Sequence, residues 1–189
     1  KKMIEAASIS GATYAKFQTW STKRLKQGEW DVDGRREIYE KAELSIEDHL
    51  MLKTYCEKLN IKFLSSAFSI ADAKLLVNIG CKDVKIPSFE SRNIELIEYC
   101  DKNFETIIMS CGTSTFEEIS KSVSKIQNAN LYLMHCVSVY PGEYNKANLP
   151  KMKLLRQLSS NVGLSDHIEG VESSKIAIGE GAVIIEKHF

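Results

Sequence analysis

Val162-Gly-Leu-Ser-Asp-His167 and, further along, Ile184-Ile-Glu-Lys-His-Phe189 each carry a short apolar run that closes on a histidine. Runs rich in Val, Ile and Leu without polar alternation are the pattern of strands buried on both faces, as in a parallel sheet. If the two runs are neighbouring strands, both imidazoles emerge at the same C-terminal edge. That edge is where α/β folds place small-molecule chemistry. Two convergent imidazoles with carboxylates nearby are a donor set suited to a divalent metal.

Working outward, strand-like runs recur at 14–19, 62–66, 83–87, 106–110, 131–137, 161–165 and 182–186. Helical periodicity fills the intervals. Segment 45–59 opens with Ser45 as N-cap and an acidic first turn, Glu47 and Asp48. Thr115-Phe-Glu-Glu118 is a capping box, followed by Phe116, Ile119, Val123 and Ile126 on one helix face. Gly11, Gly80 and Gly181 each precede a strand, where a left-handed helix terminus is expected. Strict alternation of helix and strand implies parallel βα units. Units of about 20–30 residues fit a (β/α)8 barrel, with a doubly wound open sheet as the alternative. Seven strands are counted and the chain opens within a helix, so one preceding strand would complete eight. A complete barrel needs about 250 residues. The longest irregular stretch, 20–36, follows the first strand and reads as a substrate loop or lid.

The 189 residues suffice for one domain with a sizeable core, and no linker or repeat marks a second. Apolar residues make up 43% and charged residues 26%, as in an ordinary soluble domain. Lys+Arg and Asp+Glu balance at 25 each, which gives no argument for nucleic acid or an acidic membrane as partner. No run approaches the ~20 apolar residues that span a bilayer. Cys56, Cys81, Cys100, Cys111 and Cys136 are odd in number, scattered and without a CxxC pair. They read as reduced thiols of a cytoplasmic protein.

Side chains alternate along a strand. Lys16 and Gln18 therefore share one side of the first strand, Ser165 and His167 one side of the sixth, Glu186 and His188 one side of the last. Polar pairs at the ends of apolar strands need partners to offset desolvation. A second set, Lys16, Ser65, Ser66, Lys85, Ser88, Ser110, Ser138 and Ser165, offers ammonium and hydroxyl donors suited to a phosphate or other polyanion. His49, on segment 45–59, reads as a surface residue, and His135, beside Cys136, as a core residue or one that supports a ligand from behind. Two histidines without a cysteine pair do not close a zinc site, so an open site completed by water and substrate oxygens is expected.

Six motifs in order carry a resemblance over essentially the whole chain. They are Lys16-Phe-Gln18, Lys85-Ile-Pro-Ser-Phe-Glu90, Met109-Ser-Cys-Gly-Thr113, His135-Cys-Val-Ser-Val-Tyr-Pro141, Ser165-Asp-His167 and Glu186-Lys-His-Phe189. Together they resemble the sialic acid synthase family, which includes N-acetylneuraminate synthase and the legionaminic and pseudaminic acid synthases. The resemblance implies a truncated (β/α)8 barrel over residues 1–189, with the first strand, the last helix and a C-terminal antifreeze-like domain outside the chain. It implies condensation of phosphoenolpyruvate with an N-acyl amino sugar aldehyde such as N-acetylmannosamine, giving a sialic-type acid and phosphate. It implies a divalent metal, typically manganese with magnesium or cobalt as alternatives, held by His167 and His188. Lys16, Ser66, Lys85, Ser88, Ser110 and Ser165 would hold phosphoenolpyruvate, with Ser138 in the same set. Gln18 and Tyr140 would lie near the sugar. Glu90 and Glu186 would serve proton transfer or orient the sugar. The full-length family members are expected as cytoplasmic homodimers, with no nucleic-acid or membrane partner. The chain departs from the pattern at Ser65-Ser-Ala-Phe68, where the family often has Ser-Thr-Pro-Phe, and at Ser138, where some members carry Asn. Other readings are a different phosphoenolpyruvate-condensing synthase, an aldolase with Lys85 as Schiff-base nucleophile, or a non-catalytic polysaccharide-assembly protein.

Overall fold

Ser45 caps the longest helix among the described residues. Its hydroxyl accepts the Asp48 amide while the Asp48 carboxylate returns to the Ser45 amide, closing a capping box that satisfies otherwise orphaned donors. The computed structural model describes residues 1–25 and 27–188 and comprises two units, Lys1–Cys81 and Lys82–Phe189. Phe189, which ends the last quoted motif, and Lys26, within stretch 20–36, lie outside the described residues.

The first unit runs α1 (Lys2–Ile9), β1 (Tyr14–Thr19), α2 (Arg35–Ala42), α3 (Ile46–Lys58), β2 (Lys62–Ala67) and α4 (Ile70–Asn78). β1 and β2 pair in parallel, with Lys16 opposite Leu64 and Gln18 opposite Ser66. Gly11 and Gly80 take the expected left-handed conformation (φ 76° and 78°) at the ends of α1 and α4. The stretch 20–36 contains two short 3-10 turns, Thr22–Arg24 and Glu29–Asp31, and the start of α2. It is pinned at several points. Glu43 accepts the amide and hydroxyl of Thr22, Arg24 pairs with the buried Asp72, and Arg36 lies over the Trp30 ring at 5.1 Å.

His49 corrects the surface reading: it is fully buried. It shares a helical stripe with Leu52 and Cys56, the buried residues of α3. Its Nδ1–H donates to the Ser45 carbonyl at 2.7 Å, so Nε2 accepts from the Thr19 hydroxyl at 2.8 Å. Thr19 in turn meets Ser65 at 2.7 Å. Ser65 therefore belongs to a structural relay and not to the anion-binding set, a second correction. Alternation puts it on the face opposite Ser66, Lys16 and Gln18.

The second unit runs β3 (Asp83–Ile86), α5 (Ile94–Asn103), β4 (Thr106–Ser110), α6 (Phe116–Val123), β5 (Asn130–Cys136), α7 (Lys151–Leu155), β6 (Val162–Asp166), α8 (Glu172–Gly179) and β7 (Ile185–Lys187). β3 to β7 pair in sequence order, all in parallel. This is the arrangement expected of successive βα units. Ile86, Leu96, Ile97, Ile107, Met109, Ile119, Leu133, Met134, Met152 and Leu155 form its fully buried core. Thr115 closes the expected capping box with Glu118. Strand ends agree with expectation to a residue or two, except that β7 is assigned from Ile185. Its ladder nevertheless begins earlier, with the Val183 amide on the Val162 carbonyl and the Leu164 amide on the Ile184 carbonyl. Gly181 (φ 88°) turns the chain into it. All five cysteines are buried and, among the described residues, none is in a disulfide, in keeping with reduced thiols. Among the described residues no helix is long and apolar enough to cross a membrane.

Asp101, at the end of α5, fixes the turn into β5. Its carboxylate accepts the amides of Gln127, Asn128 and Ala129 and the Asn128 side chain, at 2.7–3.0 Å. Burial alone would raise its pKa, but these bonds outweigh that and hold it below the usual carboxylate value. A depressed carboxylate stabilises the fold above its unfolded value of about 3.9, and that stability is lost as pH falls through the folded value. Asp101→Asn should therefore cost about 2 kcal/mol at neutral pH. In urea denaturation the gap to the parent should shrink below about pH 4. A gap independent of pH would refute the charged role.

Candidate functional site

The C-terminal ends of β3 to β7 gather most of the residues marked in the second unit. Register places Cys136 beside Ser165 and Ser165 beside Glu186, so these side chains share a face. Lys85 Nζ donates to Ser110 Oγ at 2.7 Å and to Glu186 Oε2 at 2.8 Å. Ser110 meets Ser165 at 2.8 Å, and Ser165 donates to the same Glu186 oxygen at 2.6 Å. The donors run in order from Lys85 through Ser110 and Ser165 to Glu186, and the Lys85–Glu186 ion pair closes the ring. The Lys85 and Glu186 side chains are only 5% and 13% exposed. A buried cation, two hydroxyls and a carboxylate acceptor are thus prepared at one spot.

One strand turn outward the two imidazoles meet edge to face, centroids 4.7 Å apart. His167 Nδ1 donates to the Val137 carbonyl at 3.0 Å, which fixes the ring. The Tyr140 ring lies 4.1 Å from His167 and 5.8 Å from His188 and is itself exposed. His188 Nε2 is 3.9 Å from Glu186 Oε1, so Glu186 borders both groups. Burial is the largest influence on His167 and disfavours its charged form. Hydrogen bonds with Cys136 and Val137, and the charges of Cys136 and Glu186, outweigh it and raise the pKa. The counterpart is Cys136. Burial pushes its thiol up, but His167, Ser138 and Ser88 outweigh that and leave it lowered. Cys100 feels burial alone, and at Cys111 burial outweighs the lowering effect of Lys151, Lys85 and a backbone bond, so both thiols are pushed up to about 12.

Around this pair lie Ser88, whose hydroxyl accepts the Gly112 amide at 3.1 Å, and Ser138, 3.5 Å from Cys136 Sγ. A Cβ on Gly112 would approach Ser138 Oγ to 2.7 Å and the Cys136 carbonyl to 2.9 Å, so this backbone must be bare. Glu90 sits in the short turn Ser88–Glu90 and holds Asn93 at 2.8 Å. No described hydrogen bond joins it to the Lys85 ring. Lys16, Gln18 and Ser66 share one face of the first unit's β1–β2 pair. His135 is buried as expected, with Nε2 donating to the Ala147 carbonyl at 2.7 Å.

Several contributors lie within the quoted motifs without a role assigned to them there: Gly112, Cys136 as the partner of His167, and the outward pair Asp166–Lys187. Asp166 accepts from Ser173, Ser174 and Lys187 at 2.7–3.0 Å, on the strand face opposite Ser165 and Glu186. Alternation was the available clue, since Asp166 and Lys187 are register partners just as Ser165 and Glu186 are.

Could the imidazole pair hold a metal? The donor chemistry fits. His167 is anchored through Nδ1 to a carbonyl, the outer-shell support usual for ligating histidines. Among the described residues no group of three His, Cys, Asp or Glu is arranged to hold an ion. What these two strands present is a pair of facing imidazoles.

Parallel βα units with a buried Lys–Ser–Ser–Glu ring beside facing imidazoles define an α/β domain with a polar, two-histidine strand edge. The NeuB family model matches residues 3–189, and the chain belongs to that family. It is 33% identical over 206 residues to the N,N'-diacetyllegionaminic acid synthase of Campylobacter jejuni, covering all of this chain and 62% of that protein. It is 34% identical over 204 residues to the pseudaminic acid synthase of Helicobacter pylori, covering all of this chain and 60% of that protein. The crystal structure of an N-acetylneuraminic acid synthetase from Leptospira borgpetersenii, in complex with citrate, superposes with a TM-score of 0.92 at 33% identity, over the whole of this chain and 66% of that one. A DAHP synthase from Thermotoga maritima shares the fold at a TM-score of 0.71 and 14% identity. The chain thus spans about three fifths of the curated relatives named here.

Proposed function

We propose that this chain is the greater part of a (β/α)8 barrel that condenses phosphoenolpyruvate with an N-acyl amino sugar aldehyde, yielding a nonulosonic acid and phosphate. The observation that carries this reading is the Lys85–Ser110–Ser165–Glu186 ring beside the His167–His188 pair. The names of the relatives, legionaminic, pseudaminic and sialic acid synthases, support the same reaction class.

On this reading Lys85, Ser110 and Ser165 receive the anionic groups of phosphoenolpyruvate by charge-assisted bonds. Ser88 and Ser138 add hydroxyls, and Lys16, Ser66 and Gln18 are assigned to substrate by motif order. Tyr140 faces the sugar. A divalent cation held by His167 and His188, with manganese first among the alternatives, would supply Lewis-acid polarisation of the aldehyde oxygen. C3 of phosphoenolpyruvate attacks the aldehyde carbon, and positive charge develops at C2, where Glu186 can stabilise it. Water adds at C2 and gives one proton to Glu90 as general base; the former aldehyde oxygen is protonated to a hydroxyl, and the tetrahedral carbon loses its remaining hydroxyl proton to form the keto C=O as it expels phosphate. The Lys85 aldolase alternative is disfavoured because Lys85 is engaged as a cation by Glu186, whereas a Schiff-base lysine must be neutral.

The test is phosphate release from phosphoenolpyruvate across a panel of N-acetylhexosamines, with and without Mn2+. Sugar-dependent release that chelator abolishes is expected. No release with any sugar would overturn the reading. Glu90→Gln should lower turnover about 10²-fold or more while calorimetric Mn2+ binding persists. Near-normal turnover would remove Glu90 from the mechanism.

A further inference from the structure

Glu186 occupies two places at once. One oxygen, Oε2, is the acceptor for Lys85 and Ser165, the donors of the anion site. The other, Oε1, points toward His188 at 3.9 Å. An incoming phosphate or carboxylate needs the same Lys85 and Ser165 donors, so it competes directly with the Glu186 carboxylate. Two carboxylate-type anions cannot share one buried ammonium and one hydroxyl without repulsion. Displaced from Lys85, Glu186 can turn only a short way to bring its charge to the imidazole pair, and a carboxylate there completes a two-histidine, one-carboxylate donor set. Among the described residues that set is not formed, and Lys85 engages the carboxylate at 2.8 Å.

We infer that Glu186 is a positioning carboxylate exchanged between the anion site and the histidine pair, so that anion binding and divalent-metal binding strengthen one another. This rests on the proposed function for the identity of the two ligands. Thermodynamic reciprocity requires that each ligand improve the other's affinity by the same factor.

The probes are phosphoenolpyruvate and Mn2+, titrated calorimetrically one in the absence and one in the presence of the other, with free Mn2+ followed by its paramagnetic resonance signal. In the parent chain each should tighten the other about tenfold, within the ~5–150-fold range of such couplings. Glu186→Gln should move the two quantities in opposite senses. Phosphoenolpyruvate alone should bind more tightly, because Lys85 no longer surrenders a charged partner, and the enhancement by Mn2+ should vanish. Direct chelation of Mn2+ by phosphoenolpyruvate in solution would persist in the variant and is thereby distinguished. A merely structural role for Glu186 would weaken both ligands together and would overturn the inference. Independent binding of the two in the parent would overturn the exchange while leaving the reaction class standing. Failure of the parent to bind either probe would overturn the functional reading and the inference with it.

Discussion

Replacing Gly163 by alanine should be among the most destabilising single changes in the chain. A Cβ at this position would fall well inside the van der Waals envelope of the Ile184 carbonyl oxygen and its Cγ2, and 2.9 Å from Met134 Sδ. The sulfur can move, but the carbonyl belongs to the ladder, where it accepts the Leu164 amide at 3.0 Å. Relief requires β6 and β7 to part, and these are the strands that deliver His167 and His188. Overpacking of this kind costs about 1–3 kcal/mol and sometimes more, and a backbone clash belongs at the upper end. About 3 kcal/mol corresponds to a melting temperature lower by roughly 6–12 °C for a domain of this size. Gly179→Ala is the control, since a Cβ there meets nothing within 4 Å and the residue lies in α8. It should be neutral or slightly stabilising. An alanine at 163 that melts with the parent would show that the two strands are not held as closely as their ladder implies.

The path from sequence to site was uneven for physical reasons. Residues 106–110 and 162–166 declare themselves because a strand buried on both faces must be apolar along its length, which leaves its polar terminal residues conspicuous. Alternation then sorts Ser165 and Glu186 from Asp166 and Lys187 without coordinates. Ser65 and Ser66 show the limit of composition. The two hydroxyls are adjacent in sequence, yet one faces His49 through Thr19 and the other shares the face of Lys16. His49 departs from the surface expectation because a polar residue on a helix is usually solvated, and only its spacing to Leu52 and Cys56 marks it as interior. The pairing of Cys136 with His167 joins neighbouring strands, and no one-dimensional period reports it.

Lys85→Met should separate what Lys85 does for the fold from what it does for the ligand. With both side chains largely withdrawn from water, removing Lys85 takes the cation of the ion pair away from the Glu186 carboxylate. Loss of about 3–5 kcal/mol is the usual consequence of breaking such a pair, whereas replacing both partners by groups of similar volume is often close to neutral. The double variant Lys85→Met, Glu186→Gln should therefore recover most of the stability in urea titrations, because the neutral amide still accepts the Ser165 hydroxyl and carries no charge to strand. Phosphoenolpyruvate binding should not recover. A polyanion that loses a buried ammonium and keeps only hydroxyl partners should bind about 100-fold more weakly in both variants, since a charged hydrogen bond contributes roughly 1.5–3 kcal/mol. Recovery of stability without recovery of binding assigns the cation to the ligand and the ion pair to the ligand-free state. If the double variant bound phosphoenolpyruvate like the parent, the anion site would lie elsewhere. If Lys85→Met alone were as stable as the parent, Glu186 would have found another partner and the ring would not be the structural unit its distances describe.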